Sequence, residues 1–223
     1  LQSKSHYSIS CGLPKTNEIV DKAIERGMDA VALADKNTFF GLVKFYNYAM
    51  KKGIKPICGV DFDVKVANGY TSLILLAKNK NGLENLFKLS TESFITSGIE
   101  KRSVPEEDIL KNSSDLVCIL PASSTNIKNL ASKKEKELIE AELSKYSVAF
   151  NKNFFLGASC FNEQGYDQAT SFVCNLAHEK NIPVVALNDV LFLEKEDHLA
   201  HQAKVAINNS TLLKDEIDNP VVS

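Results

Sequence analysis

The sequence of 223 residues sets 26 Lys and Arg against 28 Asp and Glu, a formal charge of -2. That balance excludes a chain that holds nucleic acid through a global surplus of phosphate-neutralising cations. A hydrophobic share of 44% excludes a disordered chain, and apolar runs such as "LILLA" at 73–77 fall far short of the roughly 20 residues that span a bilayer.

The opening "LQSKSHYSISCG" gathers Lys4, His6, Tyr7, Cys11 and four serines around the end of a first strand. "TNEIVDKAIERG" has helical spacing: Thr16 is placed to cap, Ile19, Val20, Ala23 and Ile24 form one stripe, and Gly27 closes the end. Strand "AVALA" (30–34) follows. A second amphipathic helix, marked by Leu42, Phe45, Tyr46 and Ala49, ends at Gly53 and leads into strand "PICGV" (56–60). Between Val60 and Ala77 the period changes to two and Asn68-Gly69 signals a tight turn, so a β-ribbon hung on the main sheet is predicted.

Helical spacing resumes at Leu83, Leu86 and Phe87. "SVPE" then reads as a capping box with Ser103 as cap, ahead of strand "LVCIL" (116–120). "KKEKELIEAELSKY" is helical with Leu138, Ile139, Leu143 and Tyr146 inward, and its charges form a solvated face. Strand "FFLGA" (154–158), a helix with Ala169, Phe172, Val173 and Leu176 inward, strand "PVVAL" (183–187) and a helix near 198–208 complete the chain. Short apolar strands each followed by an amphipathic helix predict parallel strands buried on both faces. No glycine-rich loop follows the first strand to favour a dinucleotide fold, so the pattern leans towards a barrel.

The five cysteines form an odd set without a CxxC pair, and Cys58, Cys118 and Cys174 lie in apolar segments. They read as reduced thiols, and with no signal-peptide pattern the expected location is the cytoplasm.

Parallel α/β folds work at the carboxyl ends of their strands. Those ends carry Asp35, Asp61, Cys160 and Asn188-Asp189. Three carboxylates at one mouth repel unless a metal, a lysine or protonation compensates, and hydrolytic metal chemistry is the functional reading of such a set. The bland reading is that acids after strands start turns and cap helices. Histidine partners are few: His178 reads as a surface residue, and His198 and His201, three apart on a helix, read as surface polarity. His6 alone stands near a strand end.

The segment "GLVKFYNYAMKKGIKPICGVDFDV" (41–64), with "HYSISCGLPK" before it and "IPVVALNDVLFL" after it, resembles the PHP domain of the bacterial DNA polymerase III alpha subunit, in its proteobacterial form. The resemblance runs from Leu1 to about Pro220. It implies a distorted (βα)7 TIM-like barrel with an inserted β-hairpin, in one domain over 1–223. The non-Met start and the loop-like end "DNPVVS" make the chain an expected N-terminal fragment of a longer polymerase subunit, stopping before the barrel is complete.

In metal-binding members of that family the first strand ends in His-x-His, then a serine, an acid and Tyr-Ser. Gln2, Ser3 and Lys4 stand at the first three of those positions here, followed by Ser5, His6, Tyr7 and Ser8. The family's acid before the glycine is Cys11, its Asp-His is Asp35-Lys36, and the acid after the third strand is Asp61. Its cysteine falls at Ala122, a histidine near Phe161, and its Asp-x-His becomes Asp189-Val190-Leu191. Carboxylates persist and the aligned histidines are lost, two of them to lysine. An ammonium about 4 Å from a unit charge is worth on the order of 4 kcal/mol at an effective dielectric of 20. Lys4 and Lys36 are therefore expected to oppose metal and to pair with Asp35, Asp61 or Asp189.

The resemblance thus implies a domain with no catalytic residues, metal or cofactor of its own, inside a DNA-directed DNA polymerase. Its expected partners are the rest of the alpha subunit and the proofreading exonuclease (epsilon) subunit, with DNA met only through the full polymerase and no membrane. The alternative is a metal-dependent phosphoesterase, pyrophosphatase or proofreading nuclease, as metal-binding PHP domains are.

Overall fold

The computed structural model describes residues 1–67, 69–96, 102–159 and 166–214. The expectations placed on Asn68, Cys160, Phe161 and the last residues of the chain lie outside them. The chain divides into two compact units: Leu1–Cys58 with the chain from Asp189 onward, and Gly59–Asn188.

The first unit begins with β1 (Gln2–Ser3), α1 (Thr16–Glu25), β2 (Ala30–Lys36) and α2 (Leu42–Lys52). Ile19, Val20 and Ala23 bury the inner face of α1, whereas Ile24 is exposed, and Thr16 is the first helical residue behind Lys15 rather than the cap. Gly27, at φ 67°, follows the helix in the left-handed region, as its place in the sequence predicts. β2 is apolar and buried along its length, and Asp35 lies at its carboxyl end. On α2, Leu42, Phe45 and Ala49 face inward while Tyr46 turns out, and Gly53 closes the helix at φ 78°.

The second unit is built on a sheet ordered β3 (Lys55–Val66), β4 (Gly69–Ala77), β6 (Leu116–Pro121), β7 (Phe154–Ala158), β8 (Val184–Ala186), with β5 (Val104–Pro105) on the outer side of β3. β3 enters this unit at Gly59. β6, β7 and β8 run parallel, as expected. β3 and β4 form the expected antiparallel hairpin (Val66↔Gly69), but it is no ribbon hung on the sheet: β4 lies inside it, antiparallel to β6 as well (Ile74↔Ile119). Leu73, Ile74 and Leu75 are all fully buried, so both faces of β4 are covered.

Among the described residues the α-helices of this unit are α3 (Lys80–Thr96), α4 (Glu106–Lys111), α5 (Thr125–Ser132), α6 (Lys136–Phe150) and α7 (Tyr166–Glu179). Ser103 does not cap α4, because Val104 pairs with Val64 as a strand and Pro105 occupies the cap position. α6 buries Ile139, Leu143, Tyr146 and Phe150 but exposes Leu138. β8 is the last strand of the path and is half open, with Val184 exposed, where burial on both faces is expected.

The chain then returns to the first unit. β9 (Asp189–Val190) pairs in parallel with β1, and α8 (His198–Asn209) follows.

Candidate functional site

The β1 register sets Gln2 opposite Asp189 and Ser3 opposite Val190, and the Lys4 amide donates to the Val190 carbonyl at 3.1 Å. Lys4 therefore leaves the strand beside Asp189. Its Nζ donates to Asp189 Oδ2 at 2.6 Å, with the Lys4 side chain 6% and the Asp189 side chain 19% exposed. This is one of the pairings expected for the two lysines. Gln2 is buried next to it, and Leu191 is buried while its carbonyl accepts from the Leu13 amide.

After Lys4 the chain folds into a tight loop over the end of β2. The Ser5 amide donates to Asp35 Oδ1 at 2.6 Å, Ser5 Oγ to Oδ2 at 2.8 Å, and Ser8 Oγ to Oδ1 at 2.6 Å. The Lys36 amide donates to Ser8 Oγ at 2.9 Å. Asp35, 1% exposed, is thus compensated by a backbone amide and two hydroxyls rather than by either expected lysine. The loop closes through Ser8 to Ser5, and through Cys11 and Gly12 to the Ser8 carbonyl. Gly12 is required: a Cβ there would stand 2.0 Å from the Ser5 carbonyl oxygen.

α8 packs on this loop. Lys204 Nζ donates to the Gly12 carbonyl, and His201 is hydrogen-bonded to the Cys11 backbone. His201 is 6% exposed with its ring 5.4 Å from that of Phe192, and its Nε2 is buried without a hydrogen-bond partner. The reading of His201 as surface polarity is therefore corrected, whereas His198 and His178 are exposed. Burial, with His198 and Lys204 adding to it against the Cys11 backbone bond and Asp189, pushes the His201 imidazole below its ordinary value of 6.5. Burial also lowers the Lys204 amine, against the opposing pull of Cys11 and Asp35.

Asp61 belongs to the second unit, where it is 1% exposed and accepts a 2.5 Å hydrogen bond from Ser72 Oγ. Ala122 is buried in the same unit, and His6 is exposed with its ring against Tyr7. Ser5 and Ser8 had a visible signal, a serine pair three apart at a strand end. His201 and Lys204 had only helical spacing. Among the described residues no three His, Cys, Asp or Glu side chains are grouped as metal ligands would be. The donor set formed by Lys4 and Asp189 does not suit a metal, since an ammonium occupies Oδ2 of the Asp189 carboxylate.

The family model for the PHP domain matches residues 1–158. The chain belongs to this family and has its mixed α/β fold. The relatives narrow the class. The chain is 34% identical over 227 residues to the DNA polymerase III subunit alpha of Buchnera aphidicola subsp. Schizaphis graminum, covering 96% of this chain and 19% of that one. It is 30% identical over 219 residues to the subunit of the same name from Vibrio cholerae, with the same coverage. The chain thus spans about a fifth of the length of these relatives. Among solved structures, an amidohydrolase from Chromobacterium violaceum matches with a TM-score of 0.60 at 13% identity, over 91% of this chain and 95% of that one. Among the described residues no helix is long and apolar enough to cross a membrane.

Proposed function

We propose that residues 1–223 form one PHP domain of a replicative DNA polymerase III alpha subunit, acting as a scaffold and docking domain without metal-dependent hydrolysis. The observation that carries this reading is the buried Lys4–Asp189 pair. A fixed ammonium neutralises a carboxylate where a hydrolytic relative would need ligands for a divalent ion, and a divalent ion beside it would meet repulsion instead of donors. Asp35, satisfied by Ser5 and Ser8, supports the same reading. The parent subunit would be a cytoplasmic DNA-directed DNA polymerase that meets DNA outside this domain, and the domain would carry the proofreading exonuclease subunit.

Two measurements test the proposal. Metal analysis of the purified chain, with a phosphate ester assay in added zinc and manganese, should give no stoichiometric metal and no turnover. Whole-number metal with hydrolysis would replace the scaffold by an enzyme. A titration against the exonuclease subunit should saturate, and an absence of binding would remove the docking role while leaving the scaffold.

A further inference from the structure

The outer face of α2 carries an exposed apolar row. Val43 is 69%, Tyr46 43% and Met50 56% exposed, at positions i, i+3 and i+7, which a helix places within one narrow arc. Phe40, 62% exposed, stands just before the helix. Scattered exposed hydrophobic residues are ordinary, but a row on one helix face that leaves its other apolar face to Leu42, Phe45 and Ala49 is a second amphipathic side.

Charge flanks this row on one side. Lys44 and Lys51, seven residues apart, stand about a quarter-turn round the helix from Val43. From Phe40 to Pro56 the sequence holds Lys44, Lys51, Lys52 and Lys55 and no acid, within a chain of net charge -2. Lys52 is turned to Asp21 at 3.1 Å, and Lys44 donates to the Tyr7 hydroxyl at 2.8 Å while remaining exposed.

We infer that this face of α2 is a docking surface for an acidic, apolar segment of a partner protein. The Val43, Tyr46 and Met50 row takes the partner's aliphatic side chains, and Lys44 and Lys51 pair with its carboxylates. Nucleic acid fits the surface less well, because phosphates would match the lysines but leave the Val43 and Met50 side chains uncovered. The inference does not depend on the exonuclease proposed above being the partner.

The test is a fluorescence-anisotropy titration of the whole chain with a labelled peptide alternating leucine and glutamate. Saturable binding that weakens with salt is expected, with at least about a tenfold loss in Val43→Asp/Met50→Asp. Lys51→Glu should weaken this peptide and favour its lysine-for-glutamate counterpart. These positions are exposed, so unchanged melting of the variants separates lost docking from lost folding. Absence of saturation, or equal binding by the Val43→Asp/Met50→Asp variant, would overturn the inference. So would competition by poly-dT or by phosphatidylcholine vesicles containing phosphatidylglycerol, or a dimer in sedimentation that the same double variant dissolves.

Discussion

Lys4→Met removes the cation and leaves Asp189 against β1 without its 2.6 Å partner. Breaking a buried ion pair from one side costs about 3–5 kcal/mol, since the remaining charge stays desolvated. The Asp189 side chain keeps 19% of its exposure, so water relieves part of the penalty and the low end, about 3 kcal/mol, applies. For a chain of this length each kcal/mol moves the melting temperature by about 2–4 °C, giving a drop of about 6–12 °C. Adding Asp189→Leu removes the stranded charge, and replacing both members of a buried pair by apolar groups is often neutral. The double variant should therefore recover at least half of the loss, giving a double-mutant coupling of about 2 kcal/mol. Thermal melts followed by circular dichroism at neutral pH measure all four proteins. A Lys4→Met melt within about 1 °C of the parent, or a double variant whose losses simply add, would refute the claim that the ammonium compensates the Asp189 carboxylate.

His201 carries a pH dependence. Its folded pKa lies below the ordinary 6.5, so the folded state binds fewer protons, and stability present above that value is lost as the pH falls below 6.5. Urea midpoints measured from pH 8 down to pH 5 should fall in the parent and flatten in His201→Leu. Gly12→Ala drives a Cβ into the Ser5 carbonyl backbone and should cost about 3 kcal/mol or more, seen as a large drop in melting temperature. Ser8→Ala withdraws one donor from Asp35 and one acceptor from the Lys36 amide, and should cost about 1–3 kcal/mol in the same melts, whereas Ser10→Ala, exposed on the same loop, should change little.

Local periodicity made most of the elements legible. "AVALA" is a buried strand and the α2 stripe turns Leu42, Phe45 and Ala49 inward, because short-range burial patterns decide both. What stayed hidden depends on pairing between distant residues. The alternation between Val60 and Ala77 marks two strands, but nothing local reveals that Ile74 will lie opposite Ile119 and draw β4 into the sheet. "SVPE" has the composition of a helix start, yet the ladder between Val64 and Val104 claims the residue after Ser103 and moves the start to Glu106. On α8 the spacing places His198 and His201 close together, but only tertiary packing chooses His201 to go inside. Lys4 and Asp189 are separated by 185 positions, and their meeting was legible solely through the family's motif order.

Two of the carboxylates at strand ends are held by different means, and this bears on whether a metal could bind beside them. Asp189 has an ammonium, and Asp35 a ring of hydroxyls and amide from the Ser5 to Ser8 turn. A carboxylate offers about four lone-pair directions. At Asp35 the Ser5 amide and Ser8 hydroxyl occupy Oδ1 and the Ser5 hydroxyl occupies one direction of Oδ2, while Gly41 lies so near that an added Cβ would come within 3.1 Å of Oδ2. Placing histidines at positions 2 and 4 would thus remove the opposing ammonium without freeing this oxygen pair. A divalent ion would still have to displace the serine donors, and with them the turn that Gly12 closes and α8 holds through Lys204. On the scaffold reading proposed above, the loop's own hydrogen bonding would oppose a metal as well as the two side chains at positions 2 and 4.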